Sequence, residues 1–318
     1  MIRDRILEGH RDCIYGLCPH ENQHQLFSGG GDGYIVQWDA HASAPGTLVA
    51  RVDSSVYSLA TIPGHLLAGT RKGELYGFDL NTKQLAFRHQ LEGSIFSIVA
   101  ESGWLWAGTA SGALFRLDAD GQKVRNRYTV APKSIRNLVL LQYNRFAAAC
   151  SDGYVRLLEY SSASEHLETV HAWPAHAYST FALAHMHDSN MLVTGGRDAQ
   201  IRIWDVGQGG AEEIPLIQEV PAHWFTVNAL WIDEDHKTLY SGSRDNTLKS
   251  WSLPELRLLE RKGSKDRSTD DGHKHSINRL IWLEGAQRLV TASDDKRLMV
   301  WRLEDDHDHD MAGNAQHA

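Results

Sequence analysis

The sequence predicts an all-β fold in which seven small sheets close into a ring. This is a seven-bladed β-propeller, closed by the N-terminal strand pairing with the C-terminal blade. Three observations carry that expectation. One kind of strand end recurs seven times, at Trp38-Asp39, Phe78-Asp79, Leu117-Asp118, Leu158-Glu159, Trp204-Asp205, Trp251-Ser252 and Trp301-Arg302. Each follows a turn built on Gly, Asp or Ser, and the period lengthens from about 40 residues toward about 50, the range of repeat architectures. The last unit also lacks one strand, and the N-terminus has one to spare.

The clearest unit is AHWFTVNALWIDEDHKTLYSGSRDNTLKSWS, residues 222–252. Its alternation predicts strands over 226–231, 238–241 and 247–252, and a fourth near 256–260. DEDHK and SRDN are polar turns, the second of the Asp/Asn type. Four short strands with regular turn signals argue for all-β structure. One such sheet has two apolar faces and is not stable alone. Stacking sheets radially buries both faces and leaves only short edges. The final unit supplies strands near 277–282, 288–292 and 297–303. RDRILE, before Gly9-His10, is the spare strand, so residues 2–7 are expected to complete the last sheet beside 297–303. Pairing the two chain ends removes an exposed edge. Residues 1–303 are then one propeller, and 304–318 form a flexible acidic and His-rich tail.

Composition narrows the function. Hydrophobic content of 42% and charged content of 23% are ordinary for a globular domain. A net charge of -8 weighs against nucleic-acid binding, because binders of that kind usually carry a basic domain. The three cysteines, Cys13, Cys18 and Cys150, form no disulfide framework, which favours a reducing compartment. MIRDRILEGH has charges where a signal peptide needs an apolar core. No apolar run approaches the ~20 residues of a membrane span. The expectation is a cytoplasmic chain, monomeric on its own, with no membrane contact.

Four units share one spacing. His10, Ser28, Asp32 and Trp38 form one set, and His176, Thr194, Asp198 and Trp204 a second. His223, Ser241, Asp245 and Trp251 form a third, and His273, Thr291, Asp295 and Trp301 a fourth. In each, His precedes the hydroxyl by 18 residues, the hydroxyl precedes Asp by four, and Asp precedes Trp by six. These residues resemble the WD-repeat (WD40) β-propeller family, over residues 1 to about 303. The resemblance implies that each set is a hydrogen-bond tetrad across one blade, with indole donor, hydroxyl, imidazole and carboxylate in series. His, Ser and Asp together also evoke a hydrolase triad. Fourfold repetition at fixed spacing marks a structural role, so no catalytic residue is assigned.

Units two, three and four depart from the pattern. The hydroxyl position holds Ala68, Ala107 and Ala148; the Asp position Lys72, Ser111 and Asp152; the Trp position Phe78, Leu117 and Leu158. No His stands in register before them. These blades are expected to hold by apolar packing.

The resemblance also implies a docking surface on the narrow face, around the central channel. Five residues after each His position stand Tyr15, Tyr57, Phe96, Arg136, Phe181, Asn228 and Asn278. One residue before each Asp position stand Gly31, Arg71, Ala110, Ser151, Arg197, Arg244 and Asp294, and Trp224 lies on the same rim. Tyr, Trp and Arg are the residues enriched at interface hot spots. The expected function is a non-enzymatic scaffold binding an acidic or phosphorylated peptide of a protein partner. Two other classes compete: a propeller enzyme with its site at the channel, and an RNA-binding propeller using Arg and aromatics. There is no P-loop, no dinucleotide fingerprint and no Cys pair for zinc, so neither cofactor nor metal is expected. The alternating tract DDHDHD, 305–310, reads as solvated. The charged insertion 261–276 reads as a long loop.

Overall fold

The computed structural model describes residues 1–42, 44–101, 103–118, 120–207, 213–263 and 272–303. Among these residues, twenty-eight strands form seven four-stranded antiparallel sheets. Blade one runs through Ile14–Pro19, Gln25–Gly30, Tyr34–Asp39 and Thr47–Arg51. Blades two to six follow over 56–90, 95–129, 135–174, 180–221 and 227–262. Blade seven takes Ile277–Leu283, Arg288–Ser293 and Arg297–Arg302, and its outer strand is Ile2–Glu8. That strand pairs antiparallel with Arg297–Arg302, from Ile2 opposite Arg302 to Glu8 opposite Arg297. The two ends of the propeller are thus stitched through one sheet. The tail 304–318 and residues 264–271 of the insertion lie outside the described residues.

The innermost strand of each blade is its first. These seven strands touch one another in sequence, and blade seven's touches blade one's, which closes the circle around a channel. The second strands are buried on both faces because each lies between neighbouring blades. Small residues permit that approach. A Cβ on Gly29 would lie 2.4 Å from Val56 of the next blade, and one on Gly242 would lie 2.6 Å from Ile277. The apolar clusters accordingly straddle blade pairs: Ile14, Leu26 and Trp38 of blade one pack with Leu283, Val290 and Val300 of blade seven.

Strand ends shift where the chain turns into the core. The fourth strand of blade six is Leu258–Lys262 rather than 256–260. Leu256 takes φ 55° in the turn and is buried beside Leu239 and Trp251, so pairing starts only after it. The first strand of that blade is Val227–Asp233, two residues longer at its end than expected.

Blades two to four are less purely apolar than their sequence implies. Ala68, Ala107 and Ala148 are fully buried, with Phe78, Leu117 and Leu158 beneath the surface beside them. Arg116, however, is also buried. Its guanidinium lies 3.3 Å from the Trp104 ring centroid and 4.3 Å from that of Tyr160, at the junction of blades three and four. A cation stacked between aromatic faces replaces a hydrogen-bonded network there. In blade four, Asp152 pairs with Arg156 at 2.6 Å.

Candidate functional site: the channel mouth

The four polar sets form closed hydrogen-bond chains. In blade seven, Trp301 Nε1 donates to Thr291 Oγ1 at 3.0 Å, His273 Nε2 meets the same oxygen at 2.7 Å, and His273 Nδ1 meets Asp295 at 2.9 Å. Blade one repeats this through Trp38, Ser28, His10 and Asp32, with indole and imidazole each 2.7 Å from Ser28 Oγ. Blades five and six do so through Trp204, Thr194, His176 and Asp198, and through Trp251, Ser241, His223 and Asp245. One tautomer satisfies every member: the hydroxyl accepts from indole and donates to Nε2, and Nδ1–H donates to the carboxylate. Each Asp also accepts the backbone N–H that follows its His, from Arg11, Ala177, Trp224 or Lys274. The tetrads therefore fix the loops that enter the first strands. Burial would raise the carboxyls of Asp198 and Asp245, but the bonds from His176 and His223, joined by those from Arg202, Thr247 and the backbone, together hold both far below the usual range.

Where those loops end, the channel opens into a cavity of about 350 Å³. Its walls come from the start of every innermost strand: Tyr15, Tyr57, Phe96, Arg136, Phe181, Asn228 and Asn278, one from each blade. Arg71, Ser94 and Arg279 complete the lining. A β-bulge in every first strand, such as that between Ile277 and Arg279, interrupts the pairing at these residues.

The wall has two halves. Tyr15 meets Tyr57 edge-on with centroids 5.3 Å apart, and Tyr57 stacks on Phe96 at 5.5 Å. Arg136 continues the arc, 4.4 Å from the Phe96 ring and 5.1 Å from that of Phe181. The other half is polar and internally committed. Asn228 donates to Ser276 and to Ile277 O, and Asn278 donates to Ile14 O and Asp294. Those amides tie blades six, seven and one together.

The remaining rim residues are spread out. Trp224 and Arg244 line a second cavity, of about 560 Å³, with Phe225, Arg261 and Asp294. Trp224 is 78% and Phe225 58% exposed, an adjacent aromatic pair facing solvent. Gly31 and Arg71 line a third cavity between blades one and two. Arg197 is exposed after the second strand of blade five and lines none of the three. The four arginines Arg71, Arg136, Arg197 and Arg244 thus do not make one ring, and only the first two reach the channel cavity.

Arg279 was not anticipated. It follows Asn278 at the bulge, and its guanidinium crosses the channel to Phe96 O at 3.2 Å and Tyr57 O at 3.4 Å. The signal was present in the next column of the repeat. That column reads Gly16, Ser58, Ser97, Asn137, Ala182, Ala229 and Arg279, six small or short side chains and one long cation. Burial, with Arg136 nearby, brings the Arg279 pKa down to about 10, and burial also lowers that of Arg136.

Among the described residues no helix is long and apolar enough to cross a membrane, and no group of three or more His, Cys, Asp or Glu is placed to hold a metal ion. The family profile described as "WD domain, G-beta repeat" matches residues 3–39, 167–205, 215–252 and 264–302. Those are the four repeats that carry a tetrad. A segment of the chain is 30% identical over 86 residues to human Striatin-4, and another such match is to mouse Striatin-4. Each covers 25% of this chain and about 11% of the relative's length. The solved WD40 β-propeller domain of Doa1 superposes with a TM-score of 0.79 at 15% identity, covering 95% of this chain and 96% of that one. The fold is typical of non-catalytic protein-interaction scaffolds. Four matched repeats in a ring of seven blades make this chain a member of the WD40-repeat β-propeller family.

Proposed function

We propose that this chain is a non-enzymatic scaffold that docks a peptide segment of a protein partner on the face where the first strands begin, with residues 1–303 acting as one propeller. The observation that carries this reading is the convergence of one residue from each blade on a cavity of about 350 Å³, half of it an aromatic arc. That volume matches a few side chains of an inserted peptide. Rigid aromatics supply contact area at low entropic cost, and the exposed Trp224-Phe225 pair offers a separate apolar contact at the second cavity. Arg71 and Arg136 favour an acidic or phosphorylated segment.

The test replaces Arg71, Arg136, Arg197 and Arg244 with Glu together. Affinity purification of wild type beside this variant should show a set of partners lost from the variant. Circular dichroism should remain that of the folded ring. An identical partner set on the folded variant places the docking site elsewhere.

A further inference from the structure

Arg136 and Arg279 are two buried or half-buried guanidiniums that face the same cavity, and among the described residues neither is ion-paired. Arg279 has only neutral acceptors: the carbonyls of Asn278, Tyr57 and Phe96, at 3.3, 3.4 and 3.2 Å. These are longer than the ~2.9 Å typical of a strong bond. Arg136 spends Nε on Ser151 Oγ at 2.7 Å and otherwise lies against aromatic faces. Buried charges are normally paired, because desolvation costs more than neutral partners return. Among the described residues the charge that acts on Arg279 is that of Arg136, and it is repulsive. A protein that keeps two such cations in one cavity has built half of an ion pair.

We propose that the Arg136–Arg279 pair receives the phosphate of a phosphorylated serine or threonine on the partner peptide, which enters the channel mouth phosphate first. This rests on the reading above that the channel mouth docks a peptide, and names the chemistry of its anchor. Charge complementarity selects phosphate. The four hydrogen bonds occupy four of the ten N–H groups on the two guanidiniums, leaving several for an anion. A phosphate brings about -1.5 to -2 charges and three acceptor oxygens, enough to answer both cations. A single carboxylate answers one. The aromatic arc from Tyr15 to Phe181 packs the alkyl part of the phosphorylated residue and its neighbours.

The test uses wild type, Arg136→Gln and Arg279→Gln, each verified by circular dichroism. Titration calorimetry with phenyl phosphate and with benzoate compares the two anions on one ring. Retention of a degenerate phosphoserine peptide library is then compared with the same library carrying Glu. Phenyl phosphate should bind wild type at least tenfold tighter than benzoate, and either substitution should remove that preference. The phosphoserine library should be retained by wild type alone. Equal affinity for both anions, or a phosphate preference that survives both substitutions, overturns the proposal. Arg279→Gln removes an unpaired buried charge, so it should fold at least as stably as wild type without phosphate. If it unfolds, Arg136→Gln decides. The two failures are distinguishable. Partners lost from the four-arginine variant but indifferent to phosphatase treatment sustain the docking face and sink the phosphate. Phosphate binding beside an unaltered partner set sinks the docking face and the peptide phosphate with it, leaving a site for free anions alone.

Discussion

Thr291→Val isolates what a tetrad contributes. The substitution keeps the shape of the side chain and deletes one oxygen. That oxygen is fully buried and serves both Trp301 Nε1 at 3.0 Å and His273 Nε2 at 2.7 Å. Trp301 is 1% and His273 4% exposed, so water does not replace it. Each stranded polar group costs about 1–3 kcal/mol. The expected loss is therefore about 2–6 kcal/mol, read as a shift in the urea midpoint at constant m-value. Trp301→Phe removes the indole donor and some buried area but leaves Thr291 bonded to His273. In the double variant the indole N–H is no longer stranded, so its loss should fall below the sum of the singles by about 0.5–3 kcal/mol. Blade two already carries Ala68 and Phe78 at these positions and packs them fully. Strict additivity, or a Thr291→Val loss below about 0.5 kcal/mol, would falsify the view that the chain acts as a unit.

Three further outcomes follow from the same structure. Deleting residues 1–8 exposes the edge Arg297–Arg302 and strips away buried Leu7; one large apolar side chain and a run of ladder bonds make the loss at least about 3 kcal/mol, and an unchanged melting temperature refutes closure by this strand. His185 is buried with neither ring nitrogen bonded, and burial, then His187, hold its pKa down at about 4 against the nearby Glu234. The unfolded chain takes up that proton first, so stability should fall as pH drops from about 6.5 to about 4, by on the order of 1–2 kcal/mol after screening; His185→Phe should flatten that slope in denaturation measured across the window, and an unchanged slope removes His185 as its source. Gly112 sits at φ +79°, and a Cβ there would lie 2.0 Å from Ala131 O; Gly112→Ala should destabilise by more than about 1 kcal/mol in urea melts, whereas a neutral result means the turn can reshape.

The fold was legible because its signals are local and repeated. Spacings of 18, four and six residues put His, hydroxyl, Asp and Trp at matching strand positions in four blades, and polar turns mark the ends between them. The spare strand could be found by counting. Leu256 was misread because its side chain and positive φ are set by the core it enters, not by its neighbours in sequence. Arg116 was missed for a related reason: its companions Trp104 and Tyr160 stand on other strands, one of them in the next blade.

By itself, the sequence determined the number of blades and the closure strand through its periodicity, and the four polar chains and the seven residues at the channel mouth through the resemblance to WD-repeat propellers that the same spacing carries. Only the tertiary structure decided which of them meet. It separated Arg197 and Arg244 from Arg71 and Arg136, joined Tyr15 to Phe181 through an arc of rings with the Arg136 guanidinium between Phe96 and Phe181, and carried Arg279 across the channel to blades two and three. The reason is geometric. A repeat fixes where each residue stands on its own blade, but contacts across the channel depend on side-chain length and on the charge already present on the far side.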